Sequence, residues 1–387
     1  MAVYKLFPSQ DAAIYSAYPA MNTGLDPILD VANYVTDLNP TARVARSLIK
    51  FDQNQINNVI DSIAAVTQSL AISASLKSYV AKATNVIIDS TIEVYPISGS
   101  WNNGSGQFAD IQQNTTGVSW KYQSYSGSNP WNTGGLPPLV SSSFSGSSNA
   151  GGGTWYTASG YPGMNNLRST QSFSLRSDKD LNVDVTNAVK VWYSSSKNLA
   201  SGLFDIHNEG FIVKWTSSLE FQQSTALTPQ LSYYSVDTNT IYPPQLEIKW
   251  RDYSYETGSL FVIYTPQLFV ALENNPGVFY SESINQFRLN CRPQFPVRTF
   301  ETASAYTKNY ALPSSSYYAI KDLDTNEFVV DFDTTFTQIS CDASGSYFTV
   351  YMNGLEPERY YSILVKTIVD DNTLVLDENY YFKVVNG

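Results

Sequence analysis

The chain carries a single histidine, His207 in "FDIHNEGF", and two cysteines, Cys291 and Cys341. A serine or cysteine nucleophile at neutral pH needs a base within hydrogen-bond reach, so His207 is the one imidazole that could serve. No G-x-S-x-G corner accompanies it. The plainer reading is a hydrogen-bonded turn histidine. One His and two Cys also fall short of the ligand count of a structural zinc site. Cys291 and Cys341 lie in the same C-terminal region and could pair, but two cysteines in 387 residues are no disulfide framework. Two reduced core thiols are the simpler expectation.

Glycoside chemistry needs two carboxyl groups facing each other across a cleft. Asp52, Asp110 and Asp184 are too generic to nominate for it. Asp52 reads as a strand-end acceptor for backbone N–H groups, and Asp184 or Thr186 as the oxygen capping a helix. Oxygen ligands crowd "DIHNE" and "DLDTNE" (322–327), but the second is shorter than an EF-hand loop and reads as a turn. The expectation is therefore no enzyme and no cofactor, with a Ca²⁺ site the weaker alternative. Neither a P-loop nor a dinucleotide fingerprint occurs.

Tryptophan poses a sharper question. Four of the seven, Trp101, Trp120, Trp131 and Trp155, fall within 99–165, a stretch rich in Gly, Ser and Asn. A ring on so polar a loop either pins it to a neighbouring sheet or waits, exposed, for the apolar face of a sugar or for a protein partner. Trp101 and Trp120 bracket "WNNGSGQFADIQQNTTGVSW" and are expected to staple that loop. Trp131 and Trp155, further along, are the better candidates for an exposed ligand or interface surface. Disordered segments are poor in Trp, so a packed, ordered excursion is expected.

These residues must be positioned by a mainly β chain, since Tyr and Phe are abundant and Gly and Pro punctuate short apolar runs. At 387 residues it exceeds the roughly 250–300 at which a single core stops growing. "DAAIYSAYPAMNTG" (11–24) reads as a strand and its turn. "VARSLIKFD" (44–52) is a second strand, with Val44, Leu48 and Phe51 near one apolar surface. Ile56, Val59, Ile60 and Ile63 recur at three and four and predict a helix over about 55–68. Alternation returns in 70–81 and 91–98. "DVTNAVKVWYSSSKN" sets Val185, Ala188, Val189 and Trp192 on one helical face. Strands at 210–215 and 244–250 close the first domain, 1–250, and "RDYSYETG" (251–258) marks the boundary. From 259 to 387, seven short strand patterns, beginning with "LFVIYTPQLFVAL", indicate an immunoglobulin-like sandwich.

The first 250 residues resemble the DNRLRE domain, a module also grouped with carbohydrate-binding families. The resemblance rests on "DAAIYSAYPAMNTG", "RSLIKFD", "SASLKSYV", "TIEVYPISGSW", the Trp101–Trp120 loop, "VDVTNAVKVW" and "NEGFIVKW" in that order. It implies a jelly-roll-like β-sandwich, with the helix at 55–68 and the segment 121–165 as insertions, and Arg46, Phe51, Asp52, Asp184 and Trp192 are expected to be structural. "GLEPERYYSILVKTI" is similar to the fibronectin type III or immunoglobulin-like consensus. On that pattern Tyr361 forms a tyrosine corner, its ring in the core and its hydroxyl bonded to upstream backbone.

A formal charge of −11 repels a phosphate backbone, so nucleic acid is not an expected partner. The start, "MAVYKLFPSQD", has no apolar run of signal length, and nowhere do eighteen apolar residues follow one another. Neither a cleaved leader nor membrane insertion is expected. A chain with so few charges, and with Ser, Thr, Asn, Gln and Tyr supplying its polarity, suits large neutral contacts. The whole is similar in style to virion proteins of tailed phages. The leading expectation is a non-enzymatic phage structural protein of the tail, baseplate or fibre attachment, repeated by the particle's symmetry among other virion proteins. The alternative is a module that binds polysaccharide on exposed aromatics.

Overall fold

The computed structural model describes residues 2–34, 43–67, 71–87, 89–124, 129–131, 140–142, 151–157, 167–199, 206–222, 228–273, 275–297 and 305–387. The chain is mainly β and divides into two compact units. One comprises Leu6–Asp61 and Ser73–Glu247, the other Met1–Lys5, Ser62–Ile72 and Ile248–Gly387. No helix among the described residues is long and apolar enough to cross a membrane.

The larger unit is built on one curled sheet. Its strands run in the order Ser169–Phe173, Ser90–Pro96, Phe211–Trp215, Val44–Lys50, Ile28–Asn33, Gln230–Tyr234, Val80–Thr84, with Gln10–Tyr15 also paired to Val44–Lys50. Every one of these pairings is antiparallel. Ile72–Ser78 and Leu181–Asp184 pair antiparallel in a second sheet. Val44–Lys50 is buried almost throughout, because both faces of the sheet are covered.

Helix Gln53–Thr67 begins two residues earlier than its apolar period predicts. The reason is Asp52, whose Oδ1 accepts the Gln55 N–H at 2.9 Å and so satisfies a donor of the first turn. Phe51 beside it is fully buried. The second helix, Thr186–Ser196, buries Ala188, Val189, Trp192 and Tyr193, and Trp192 packs on Phe211 with centroids 4.7 Å apart. Its cap position is Val185, which has no capping side chain. Asp184, one residue outside, instead accepts the Thr186 N–H at 2.8 Å, while the Thr186 hydroxyl accepts from the Ala74 N–H.

In the smaller unit two sheets share one core. The first has the order Leu268–Glu273, Ile284–Pro293, Gly345–Tyr351, Ser340–Asp342, and the second Val278–Tyr280, Asn372–Val385, Tyr360–Val369, Ser316–Asp322, Phe328–Val330. All pairs are antiparallel except Val278–Tyr280, which runs parallel to its neighbour. Of "LFVIYTPQLFVAL" only Leu268–Glu273 is a strand. Pro266 interrupts the run, and a residue that cannot donate to a ladder ends pairing. The core is a stack of rings: Tyr318 on Phe348 at 4.3 Å and Phe348 on Phe287 at 5.4 Å, with Phe382 and Tyr361 beside them. Tyr361 is buried, and its hydroxyl donates to the Glu356 carbonyl at 2.9 Å. Residues 2–5 belong to this unit: Asn353 Nδ2 donates to Lys5 O, and Lys5 Nζ to Val329 O.

Candidate functional site

In the large sheet, Glu93 and Lys214 are direct cross-strand partners. Strand alternation puts Arg46, Leu48, Ile212, Lys214, Glu93, Tyr95 and Ile97 on one face. That face holds two cations and a carboxylate among apolar residues and would normally meet water. Here it is roofed. Trp101, Val118, Trp120, Trp131 and Trp155 form a cluster with Leu48, Tyr95, Ile97 and Ile212.

The charges form a chain of alternating sign. Arg168, half-exposed, reaches Glu93 Oε1 with Nη2 at 2.8 Å and Nε at 3.0 Å. Glu93 Oε2 accepts from Lys214 Nζ at 2.7 Å. Lys214 Nζ lies 3.9 Å from Glu220 Oε2, and Glu220 takes Arg46 in a two-pronged bond, both arms 2.8 Å. Arg46 and Glu220 are both fully buried. A planar fork on a carboxylate is the strongest ion-pair geometry available to these side chains, and burial is tolerated only because each charge has such a partner.

The rings complete the neutralisation. Arg46 lies 4.9 Å from the Trp120 ring and 5.4 Å from Trp155, and Lys214 lies 5.2 Å from Trp155 and 5.7 Å from Tyr95. Trp155 thus serves both cations through its π face. Burial, with Glu93 near, pushes the Tyr95 hydroxyl up to about 12. Gly152 lets the roof close: its carbonyl accepts from Arg46 Nη1. Its φ is +79°, and a Cβ there would lie 2.7 Å from that nitrogen and 2.8 Å from the Trp120 ring.

Exposure of the loop tryptophans is therefore corrected. Trp131 and Trp155, expected at the surface, are 2% and 5% exposed. Trp131 Nε1 donates to Ser119 O at 3.0 Å, and Trp155 is held by the two cations. Trp101 and Trp120 are also buried, and Trp101 Nε1 donates to Glu209 O at 2.8 Å. Much of the neighbouring Gly/Ser-rich stretch (125–128, 132–139, 143–150, 158–166) lies outside the described residues. Buried Asn22 ties the 101–120 loop down as firmly as the rings do. Its Nδ2 donates to Asn103 O and Val118 O, and its Oδ1 accepts from Gly106 N–H.

The remaining candidates are placed separately. His207 is exposed, Asp110 accepts the Gln107 N–H, and Cys291 and Cys341 are buried free thiols. Near "DIHNE", Glu209 pairs with Lys50 and Asn208 donates to Phe51 O. In "DLDTNE", burial pushes the Asp322 carboxyl up, but Arg359 and the N–H groups of Thr325 and Asp324 outweigh it and hold the pKa below its ordinary value. That carboxylate faces a guanidinium at 2.6 Å, the place a cation would take. Among the described residues no group of three or more His, Cys, Asp or Glu is arranged to hold a metal ion.

Glu93 and Glu220 are buried carboxylates of this cluster. Both carboxylates face cations, Glu93 meeting Arg168 and Lys214 and Glu220 meeting Arg46 and Lys214. Where Arg168 emerges, a polar groove of about 260 Å³ is lined by Arg168, Ser169, Thr170, Asp184 and Asn187. Glu93 and Lys214 were legible only as charges inside alternating strands, "TIEVYPIS" and "FIVKW", and nothing local distinguishes Glu220. No family model, curated protein or solved structure matches the chain.

Proposed function

We propose that this chain is a non-enzymatic structural protein of a tailed-phage particle, assembled into the tail, baseplate or fibre attachment. The observation that carries the reading is where the rings go. Trp120 and Trp155 turn inward onto buried cations, whereas Phe261, Tyr264, Phe295 and Val297 of the smaller unit are each above 70% exposed. Aromatic and aliphatic side chains left this exposed suit contact with protein partners. The resemblance of the N-terminal unit to a module joined to small β-sandwiches, together with the low charge density, supports the same reading.

Quantitative peptide mass spectrometry of gradient-purified particles tests it. The expected result is this chain at a fixed ratio to the major capsid protein, retained through a high-salt wash. Absence from the particles overturns the proposal.

A second reading, polysaccharide binding, is favoured by one feature. The groove beside Arg168 offers donors and acceptors together, as vicinal sugar hydroxyls require. On this reading the full chain is retarded in gels containing a soluble polysaccharide, and Arg168→Ala abolishes the shift. Uniform mobility across a broad panel removes it.

A further inference from the structure

We infer that the Leu268–Glu273 strand is a self-pairing edge, through which two copies of this chain join antiparallel about a two-fold axis at Ala271. Among the described residues this strand pairs on one side only, with Ile284–Pro293. Edge strands of soluble proteins are ordinarily blunted by charge, proline or a bulge. "LFVALE" has no charge before its last residue, and its register with Ile284–Pro293 is unbroken from Leu268 to Glu273.

The direction of its free groups follows from its partner. Cys291 donates its N–H to Asn309 Oδ1 and accepts the Tyr310 N–H, so its backbone faces away from Val270, the residue opposite it. In an antiparallel ladder both members of such a pair turn outward together. Gln267 O accepts the Gln294 N–H and so points inward. Hence Leu268, Val270 and Leu272 aim N–H and C=O at the open side. Val270 O meets the Tyr380 hydroxyl at 3.4 Å, longer than an ordinary O–H···O bond and easily exchanged for a backbone donor.

The side chains select a second copy as occupant. With Ala271 opposite Ala271, Val270 of each copy exchanges bonds with Leu272 of the other, and Glu273 falls opposite Phe269 on the same face. Arg292 is the neighbour of Phe269 across the existing pair, and its guanidinium lies 4.8 Å from that ring. Glu273 of each copy therefore arrives beside a cation of the other, twice by symmetry, with the smallest side chain of the strand on the axis. The inference takes its biological setting from the assembly reading above. Its own test needs only the isolated chain, so a failure here is distinct from absence in particles.

The experiment is light scattering of the full-length chain across a concentration series. The expected result is a dimer that Ala271→Lys, placing two like charges on the axis, weakens about tenfold or more, with the thermal unfolding of the monomer unchanged. Glu273→Lys weakens it likewise, and the double variant Glu273→Lys, Arg292→Glu restores it. A chain monomeric at every concentration overturns the inference. So does a dimer indifferent to Ala271→Lys, or one that the exchanged charges fail to restore.

Discussion

The two units fill their interiors in opposite ways. The smaller relies on apolar contact, with Tyr318, Phe348, Phe287, Phe382 and Tyr361 in ring-on-ring contact. The larger buries Arg46, Lys214 and Glu93 in the same sheet face as Leu48 and Ile212, roofs that face with tryptophan, and brings buried Glu220 to the cations from the short helix Ser217–Glu220. Dispersion and area burial are forgiving of small changes in shape. A buried charge is not, since its cost is recovered only while its partner is present. The first kind of core tolerates substitution, whereas the second specifies one arrangement.

The largest expected effect follows directly. Glu220→Ala leaves Arg46 and Lys214 without their shared carboxylate, and urea unfolding should show about 3–5 kcal/mol lost. Phe348→Leu, which keeps an apolar side chain in the ring stack but loses its two stacked contacts, should cost less, about 1–2 kcal/mol. The contrast breaks if the two losses are equal. It sharpens if Arg46→Met combined with Glu220→Leu loses less than Glu220→Ala alone, as removal of a whole pair should.

Next comes pH. Asp11, 1% exposed, accepts the Val236 N–H at 2.7 Å, while its Oδ1 has no partner among the described residues. Burial pushes its pKa up to about 7; the Val236 N–H opposes this and Asp237 adds to it. The folded state thus holds a proton that the unfolded chain releases near 3.8. Its contribution is full below that value and is lost as pH rises to about 7, amounting to a few kcal/mol, on the order of 3–4. Asp11→Asn should therefore raise stability at pH 8 and not at pH 4, as read from thermal unfolding at the two values. An identical shift at both would show that the carboxyl is not the titrating group.

The smallest effect belongs to the smaller unit. Tyr361→Phe keeps the ring and removes only the bond to Glu356 O, a loss of about 1 kcal/mol by chemical denaturation. A loss several times larger would mean that the smaller unit, too, depends on a polar anchor.

Much of this was legible in the sequence where the signal is local. The period of Ile56, Val59, Ile60 and Ile63 reveals the first helix, with Asp52 moving its start, and the Leu355–Pro357–Tyr361 pattern locates the corner tyrosine. The destination of Trp131 and Trp155 was not legible. A ring in a polar loop looks the same whether it meets solvent or a distant cation, and the cations here are contributed by residues 46 and 214. Glu93 and Lys214 carry a faint sign, a charge at an inward strand position. Glu220 carries none, because its role exists only once Arg46 is opposite.

That last pairing also has a consequence for how the chain is made. Arg46 and Glu220 are 174 residues apart, and Lys214 and Glu93 are 121. During synthesis the Val44–Lys50 strand emerges from the ribosome long before its counter-ion exists. Contacts of such long range are slow to form and leave partly ordered chains open to wrong partners in the meantime. The N-terminal unit must therefore spend most of its synthesis waiting, settling only after residue 220 has cleared the exit tunnel.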